Sequence, residues 1–286
     1  MQSSLHRIGV VGAGTMGGGI TQVLAQRGLS VVLCDSVPAQ LEKTLQTIDR
    51  NLTRAIEKNQ LDATAREIIL QRIRTHTTVE ALAEAELVIE AVSESFPVKR
   101  EILTALDKHC PAETILATNT SSISITRLAA ATQRPERVVG MQFRNPVPVM
   151  KLVEIIRGLR TSAQTVATVL ALVTQLEKVP VEVMDSPGFV SNRVLMPMIN
   201  EAVFCVYEGV GDPQAVDQVM KMGMNHPLGP LALADLIGLD VCLNIMETLY
   251  EGFSDSKYRP CPLLKQMVAA GKLGRKSGEG FYSYGH

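Results

Sequence analysis

The run Ile8-Gly9-Val10-Val11 passes directly into Gly12-Ala13-Gly14-Thr15-Met16-Gly17, and a helical pattern over residues 15–27 follows at once. Strand, glycine turn and helix in that order leave few folds open. The first glycine permits the tight turn, the second lets a phosphate approach the backbone, and the third lets helix and strand pack. The N–H groups of the helix start then face a pyrophosphate. Residues 31–33 read as a second strand with Asp35 at its end, where a carboxylate accepts hydrogen bonds from a ribose 2′-hydroxyl and repels a 2′-phosphate. The pattern predicts NAD rather than NADP, held by Gly12, Gly14, Gly17 and Asp35.

Residues 87–92 read as a third buried strand, and helical patterns separate the three, which predicts a parallel sheet with crossover helices. Leu41, Leu45, Ile48, Leu52 and Ile56 mark one face of a long helix whose polar side is free to line a cleft. Further strands are expected over 114–117, 137–142, 151–155 and 179–183, and a helix over 162–177. The α/β pattern ends near Asp185, Ser186-Pro187-Gly188 punctuates the chain, and helices are expected over 189–208, 213–222, 231–236 and 241–250. The expected fold is α/β, a Rossmann-type dinucleotide-binding domain over 1–185 followed by a smaller all-helical domain over 186–286. Met184, Met196, Met198, Met220, Met222 and Met224 are expected to fill the packing of the second domain.

With 286 residues, 46% hydrophobic, 20% charged and a formal charge of -1, the chain shows no global field for a nucleic acid or an anionic membrane. Five scattered cysteines without a Cys-x-x-Cys pair argue against a disulfide framework and a zinc site, so no metal is expected and a reducing cytoplasm fits. The opening residues enter a strand within a few positions and no apolar run reaches membrane-spanning length, which predicts a soluble protein without a leader.

Residues 140–154 read Gly-Met-Gln-Phe-Arg-Asn-Pro-Val-Pro-Val-Met-Lys-Leu-Val-Glu. This segment resembles the active-site stretch of the NAD-dependent 3-hydroxyacyl-CoA dehydrogenases, Gly-x-His-Phe-x-Asn-Pro followed by Met-Lys-Leu-Val-Glu. The resemblance runs from the glycine motif to the Gly274-Arg275-Lys276-Ser277-Gly278 ending and implies hydride transfer between NAD and C3 of a 3-hydroxyacyl thioester. Gln142 stands where that family has its catalytic histidine. An imidazole takes up a proton near neutral pH, whereas a carboxamide only donates and accepts hydrogen bonds. Glu154 matches the glutamate that orients the imidazole, and it would have no imidazole to pair with.

The resemblance also implies that Ser121, within Asn119-Thr120-Ser121-Ser122, bonds the substrate's 3-oxygen, although such a cluster also suits a helix cap. Asn192 would help hold the acyl group, or be a plain polar residue of a first helical turn. Glu94, Lys99 and Asn119 would sit at the cofactor, where Glu94 and Lys99 alone would read as a solvated pair at a helix start. Arg54 and Lys58 would contact CoA, with a solvated helix face as the equal alternative. Arg144 and Asn145 would border the substrate pocket, and Arg144, where the family is usually aromatic, adds a permanent cation or is merely exposed. His226 is a candidate replacement base. Three functions remain open: an NAD-dependent 3-hydroxyacyl-CoA dehydrogenase slowed by Gln142, a specialised dehydrogenase of carrier-protein-bound or carboxylated acyl groups, and a non-catalytic binder of NAD(H) and acyl-CoA. A homodimer through the helical domain is expected.

Overall fold

Short apolar runs without polar alternation suit strands covered on both faces, and the first part of the chain is built from them. The structure is a computed structural model that describes residues 5–285. Its strands are Arg7–Val11 (β1), Ser30–Cys34 (β2), Ile73–His76 (β3), Leu87–Glu90 (β4), Ile115–Thr118 (β5), Val138–Phe143 (β6), Leu152–Arg157 (β7) and Val179–Met184 (β8). They form one sheet in the order β3-β2-β1-β4-β5-β6-β7-β8, parallel throughout except between β6 and β7. Helices Thr15–Gln26 (α1), Pro38–Glu57 (α2), Ala65–Gln71 (α3), Phe96–His109 (α4), Ile125–Ala129 (α5) and Ala163–Gln175 (α6) connect them. Strand order reverses between β1 and β4, and in open sheets of this kind ligands bind in the crevice outside the carboxyl ends at such a point. The core is apolar on both sides of the sheet, with Ile8, Val10, Leu33, Leu87 and Ile89 buried on one face and Val88, Leu116 and Val138 on the other.

β3 and the end of β4 depart from the sequence pattern for identifiable reasons. Ile73-Arg74-Thr75-His76 alternates half-buried with exposed residues, as a short edge strand does, so it lacks the apolar run that marks β1 and β4. β4 stops at Glu90, because the Val92 N–H turns back to Glu90 Oε1 at 2.7 Å. The chain then enters α4, which starts with Pro97 in its first turn, where a missing N–H costs nothing.

The contacts divide the chain into two units, with the second beginning at Ser186. This unit contains helices Ser191–Tyr207 (α7), Pro213–Gly223 (α8), Pro230–Ile237 (α9), Leu239–Phe253 (α10) and Pro262–Ala269 (α11). Met196, Ile199, Val203, Leu231, Leu239, Leu249 and Leu264 make its core. Asp235 holds the chain end, accepting the Phe281 and Tyr282 N–H groups and the Tyr284 hydroxyl, each at 3.0 Å. The methionines are not uniformly packing: Met196 is buried, but Met184, Met222 and Met224 are 61%, 85% and 62% exposed. Met222 and Met224 sit on and just past the last turn of α8, beyond reach of the unit's core. No helix among the described residues is long and apolar enough to cross a membrane.

Candidate active site

The glycine turn closes over β4 at van der Waals limits. Gly12 has φ +100°, and a Cβ there would lie 2.7 Å from the Ala91 carbonyl oxygen. A Cβ on Gly17 would lie 1.8 Å from the Gly12 carbonyl oxygen, so α1 packs on the turn only with glycine at that position. Gly14 is different: its Cβ would meet nothing within 4 Å. It precedes α1 with no side-chain cap, so the first-turn N–H groups open onto a cradle that a side chain would fill. Asp35 Oδ2 accepts the Ala13 N–H at 2.7 Å and Oδ1 accepts the Val37 N–H at 2.9 Å, so the carboxylate also fixes the turn. From the polar side of α2, Gln40 donates to the Ala13 carbonyl at 2.8 Å and the Thr44 hydroxyl donates to the same oxygen. A cavity of about 530 Å³ runs along Gly12, Gly14, Asp35, Val37, Ala91 and Ser93. This donor cradle with one carboxylate at its rim fits NAD.

An Asp35→Ala variant is expected to lower the preference for NAD over NADP by roughly tenfold or more, since one charge-assisted hydrogen bond is worth about 1.5–3 kcal/mol. The ratio of kcat/KM for the two cofactors measures it, and an unchanged ratio would remove Asp35 from the ribose site.

Along the carboxyl ends of β4, β5 and β6 runs a connected polar network. Lys99 is wholly buried, 2.8 and 3.1 Å from the two Glu90 carboxylate oxygens and 3.6 Å from Glu94 Oε2. The solvated-pair reading of Glu94 and Lys99 is therefore corrected: α4 turns Lys99 inward because Glu90, also fully buried, needs a counter-charge. Thr118 donates to the other side of Glu90 at 2.6 Å. Glu94 accepts from the Thr120 hydroxyl at 2.6 Å, the Ser121 N–H at 2.9 Å and the Ser121 hydroxyl at 3.2 Å. Partial burial pushes its carboxyl up, but the Thr120 hydrogen bond, the Lys99 charge and the Ser121 and Ser122 bonds outweigh this and hold it below the usual glutamate range. Asn119 joins the strand ends, donating its N–H to the Glu90 carbonyl at 2.7 Å and accepting the Phe143 N–H on Oδ1 at 2.8 Å. Helix α5 takes its cap from Ser124, which leaves Thr120, Ser121 and Ser122 to Glu94.

Gln142, on β6, and Glu154, on β7, are direct register partners and both are buried. Arg144 is not simply exposed: its side chain is 24% accessible and Nη2 is ion-paired with Glu154 Oε2. Glu154, which the sequence leaves without an imidazole, thus has a guanidinium instead. After β6 the chain makes a loop that Lys178 fixes through the Val147 and Met150 carbonyls, at 2.6 and 2.7 Å. Burial, and then the Arg27 charge, hold this ammonium below the ordinary lysine range. Asn145, exposed in the same loop, borders a cavity of about 250 Å³ with Gly14, Gln40, Thr44 and Asn51. Arg54 and Lys58 line a larger one of about 730 Å³, together with Arg27, Lys151 and Lys178. Asn192 lies in the first turn of α7 in the helical unit, 8% exposed, with its N–H on the Gly188 carbonyl at 3.1 Å. His226 follows α8 in that unit and is half-buried.

Glu90 and Lys178 carry no sequence signal, since each looks like the polar end of an apolar run. Gln40 and Thr44 were visible only as part of a polar helix face. Among the described residues no cluster of three or more His, Cys, Asp or Glu could hold a metal ion.

The model of the 3-hydroxyacyl-CoA dehydrogenase NAD-binding domain matches residues 7–186, and that of the C-terminal domain matches residues 188–284. The chain belongs to the 3-hydroxyacyl-CoA dehydrogenase family. It is similar to a probable 3-hydroxybutyryl-CoA dehydrogenase of Bacillus subtilis, 55% identical over 98% of this chain and 98% of that one. A 3-hydroxybutyryl-CoA dehydrogenase of Clostridioides difficile is 49% identical over 97% and 99%. The crystal structure of an (S)-3-hydroxybutyryl-CoA dehydrogenase from Ralstonia eutropha superimposes with a TM-score of 0.97 at 51% identity, covering 99% of this chain and all of that one. The cofactor of this dehydrogenase family member is NAD, and the family activity is NAD-dependent oxidation of a 3-hydroxyacyl-CoA to the 3-oxoacyl-CoA, or its reverse.

Proposed function

We propose that this chain interconverts a short 3-hydroxyacyl-CoA, with 3-hydroxybutyryl-CoA as the expected substrate, and its 3-oxoacyl-CoA, using no imidazole base. The observation that carries the proposal is the alignment of polar groups at the carboxyl ends of four neighbouring strands: the Gly12 turn after β1, Glu90 on β4, Asn119 after β5 and Gln142 on β6. NAD, held at Gly12, Gly14 and Asp35, would supply the hydride acceptor for C3 in the oxidative direction. The Ser121 hydroxyl, held by Glu94, and the Gln142 amide hydrogen-bond the 3-oxygen. Glu94, Lys99 and Asn119 support the cofactor side. Arg54 and Lys58, with Arg27, Lys151 and Lys178 around them, are the cations offered to the CoA phosphates, and Asn145 borders the thioester arm. The carbinol proton leaves to water. A carboxylated acyl group gains no support, because the Arg144 charge is already met by Glu154.

A homodimer through the helical unit belongs to the proposal. Val210, Val219, Met222 and Met224 are 74%, 62%, 85% and 62% exposed, an apolar surface of the kind that subunit contacts cover. So does a cytoplasmic location, supported by five free cysteines. Sedimentation at equilibrium tests the dimer, and a monomer at micromolar concentration would rule it out.

Acetoacetyl-CoA reduction by NADH tests the activity. Turnover is expected about 10²–10⁴-fold below that of a histidine-bearing relative, the usual loss on removing a general acid–base. Tight NADH binding with no consumption, by this chain and by its Gln142→His/Arg144→Phe variant alike, would leave the non-catalytic reading in its place. Equal rates for one acyl group on CoA and on a carrier protein would remove the case for a dedicated carrier.

A further inference from the structure

Gln142, Arg144 and Glu154 form one unit, and we propose that Arg144 and Gln142 together replace a histidine: Arg144 takes over the carboxylate and Gln142 keeps only the hydrogen-bonding role. This rests on the dehydrogenase reading above.

Residues two apart on an extended chain project to the same face, and Glu154 is the cross-strand partner of Gln142. The ion pair shows that the Arg144 guanidinium folds back over that face to the same carboxylate. Glu154 therefore stands opposite Gln142 and pairs with Arg144. A carboxylate as buried as Glu154, 3% exposed, is costly without a counter-charge. An imidazole supplies that charge only when protonated, and a guanidinium supplies it at every pH. With neutral Gln142 beside it, the face carries permanently the charge distribution that an imidazolium and a glutamate would carry transiently, but without a transferable proton.

Two consequences follow from the charge count. A histidine introduced at position 142 alone would find Glu154 already engaged and a permanent cation next to it. Its protonated form would be disfavoured by like charge, so it could neither be oriented nor stabilised as an acid. Arg144 must leave before the imidazole can work. The second consequence concerns the proton in the existing protein. In oxidation the C3–H bond breaks with its electron pair going to NAD, the oxygen becomes a carbonyl, and the hydroxyl proton passes to water or hydroxide. The charged groups facing the unit along the sheet are Glu90, in register with Thr118 and through it Gly140, and Lys99 with Glu94, which pair with one another. On β8 the partner of Glu154 is the apolar Val181. None of these is an imidazole.

Arg144 is thus a positioning residue, and its test compares four proteins: the parent, Gln142→His, Arg144→Phe, and the double variant. Acetoacetyl-CoA reduction is followed across pH, with NADH affinity and thermal unfolding measured on each. Gln142→His alone is expected to gain less than about tenfold, and the double variant about 10²–10⁴-fold with a new inflection near neutral pH. Arg144→Phe alone should lower the unfolding temperature by removing the positive charge beside buried Glu154, and the added histidine should restore it. Full gain from Gln142→His alone, additive effects, or a double variant no more stable than Arg144→Phe would overturn the coupling. If Arg144→Phe does not fold, a folded double variant supports the proposal and an unfolded one refutes it. Should all four bind NADH and none reduce acetoacetyl-CoA, the dehydrogenase reading fails instead, so the two failures are distinguishable.

Discussion

Replacing Lys99 by methionine is expected to destabilise the protein by about 3–5 kcal/mol, the usual cost of stranding one partner of a buried ion pair. Both Lys99 and Glu90 have side chains at 0% exposure, so no water can take the place of the lost ammonium. The hydrogen bonds that Glu90 receives from Thr118 and the Val92 N–H remain, but they leave the negative charge uncompensated. Glu94 would lose its cation as well, and with it part of what fixes Ser121. Replacing both partners, Lys99→Met with Glu90→Leu, should cost less than Lys99→Met alone, because the buried charge disappears with its counter-ion. Urea denaturation of the two variants decides the matter. A single variant as stable as the parent would mean that Glu90 does not need Lys99, and the account of this network would be wrong.

What the sequence revealed depended on whether the signal was local. The strand, Gly12, Gly14, Gly17 and Asp35 are constrained by backbone geometry within one β-α-β stretch, so their spacing is diagnostic. Lys99 was ambiguous because a lysine in the first turn of a helix is ordinarily solvated. Only the burial of Glu90, a residue at the end of an all-apolar strand, turns it inward, and that is a tertiary fact. Arg144 and Glu154 illustrate the same limit more sharply. Their positions were evident from the match to residues 140–154, and the loss of an imidazole partner for Glu154 was evident too. That the guanidinium fills this vacancy required the antiparallel register of β6 and β7, which no pattern along the chain encodes. β3 is not marked in the sequence for the opposite reason: an edge strand needs little apolar character, and Arg74 and His76 interrupt the apolar run that marks β1 and β4.

The three glycines of the turn should separate folding from cofactor binding. Gly17→Ala is expected to prevent folding of the first unit, because the added Cβ would stand 1.8 Å from a backbone oxygen that cannot rotate away. Gly12→Ala should also be severe, since it meets the Ala91 backbone at 2.7 Å and must adopt φ +100°, a region costly for any residue with a Cβ. Gly14→Val should leave the thermal unfolding transition near that of the parent, as its Cβ finds nothing within 4 Å. NADH binding should nevertheless collapse. A side chain in the cradle keeps a phosphate from the first-turn N–H groups, and losing two charge-assisted hydrogen bonds at about 2 kcal/mol each weakens binding about 10³-fold. Fluorescence titration with NADH measures this directly. If Gly14→Val binds NADH like the parent, the pyrophosphate does not lie at the start of α1. If it unfolds, Gly14 is a packing residue like Gly17, and the distinction between the glycines of this turn disappears.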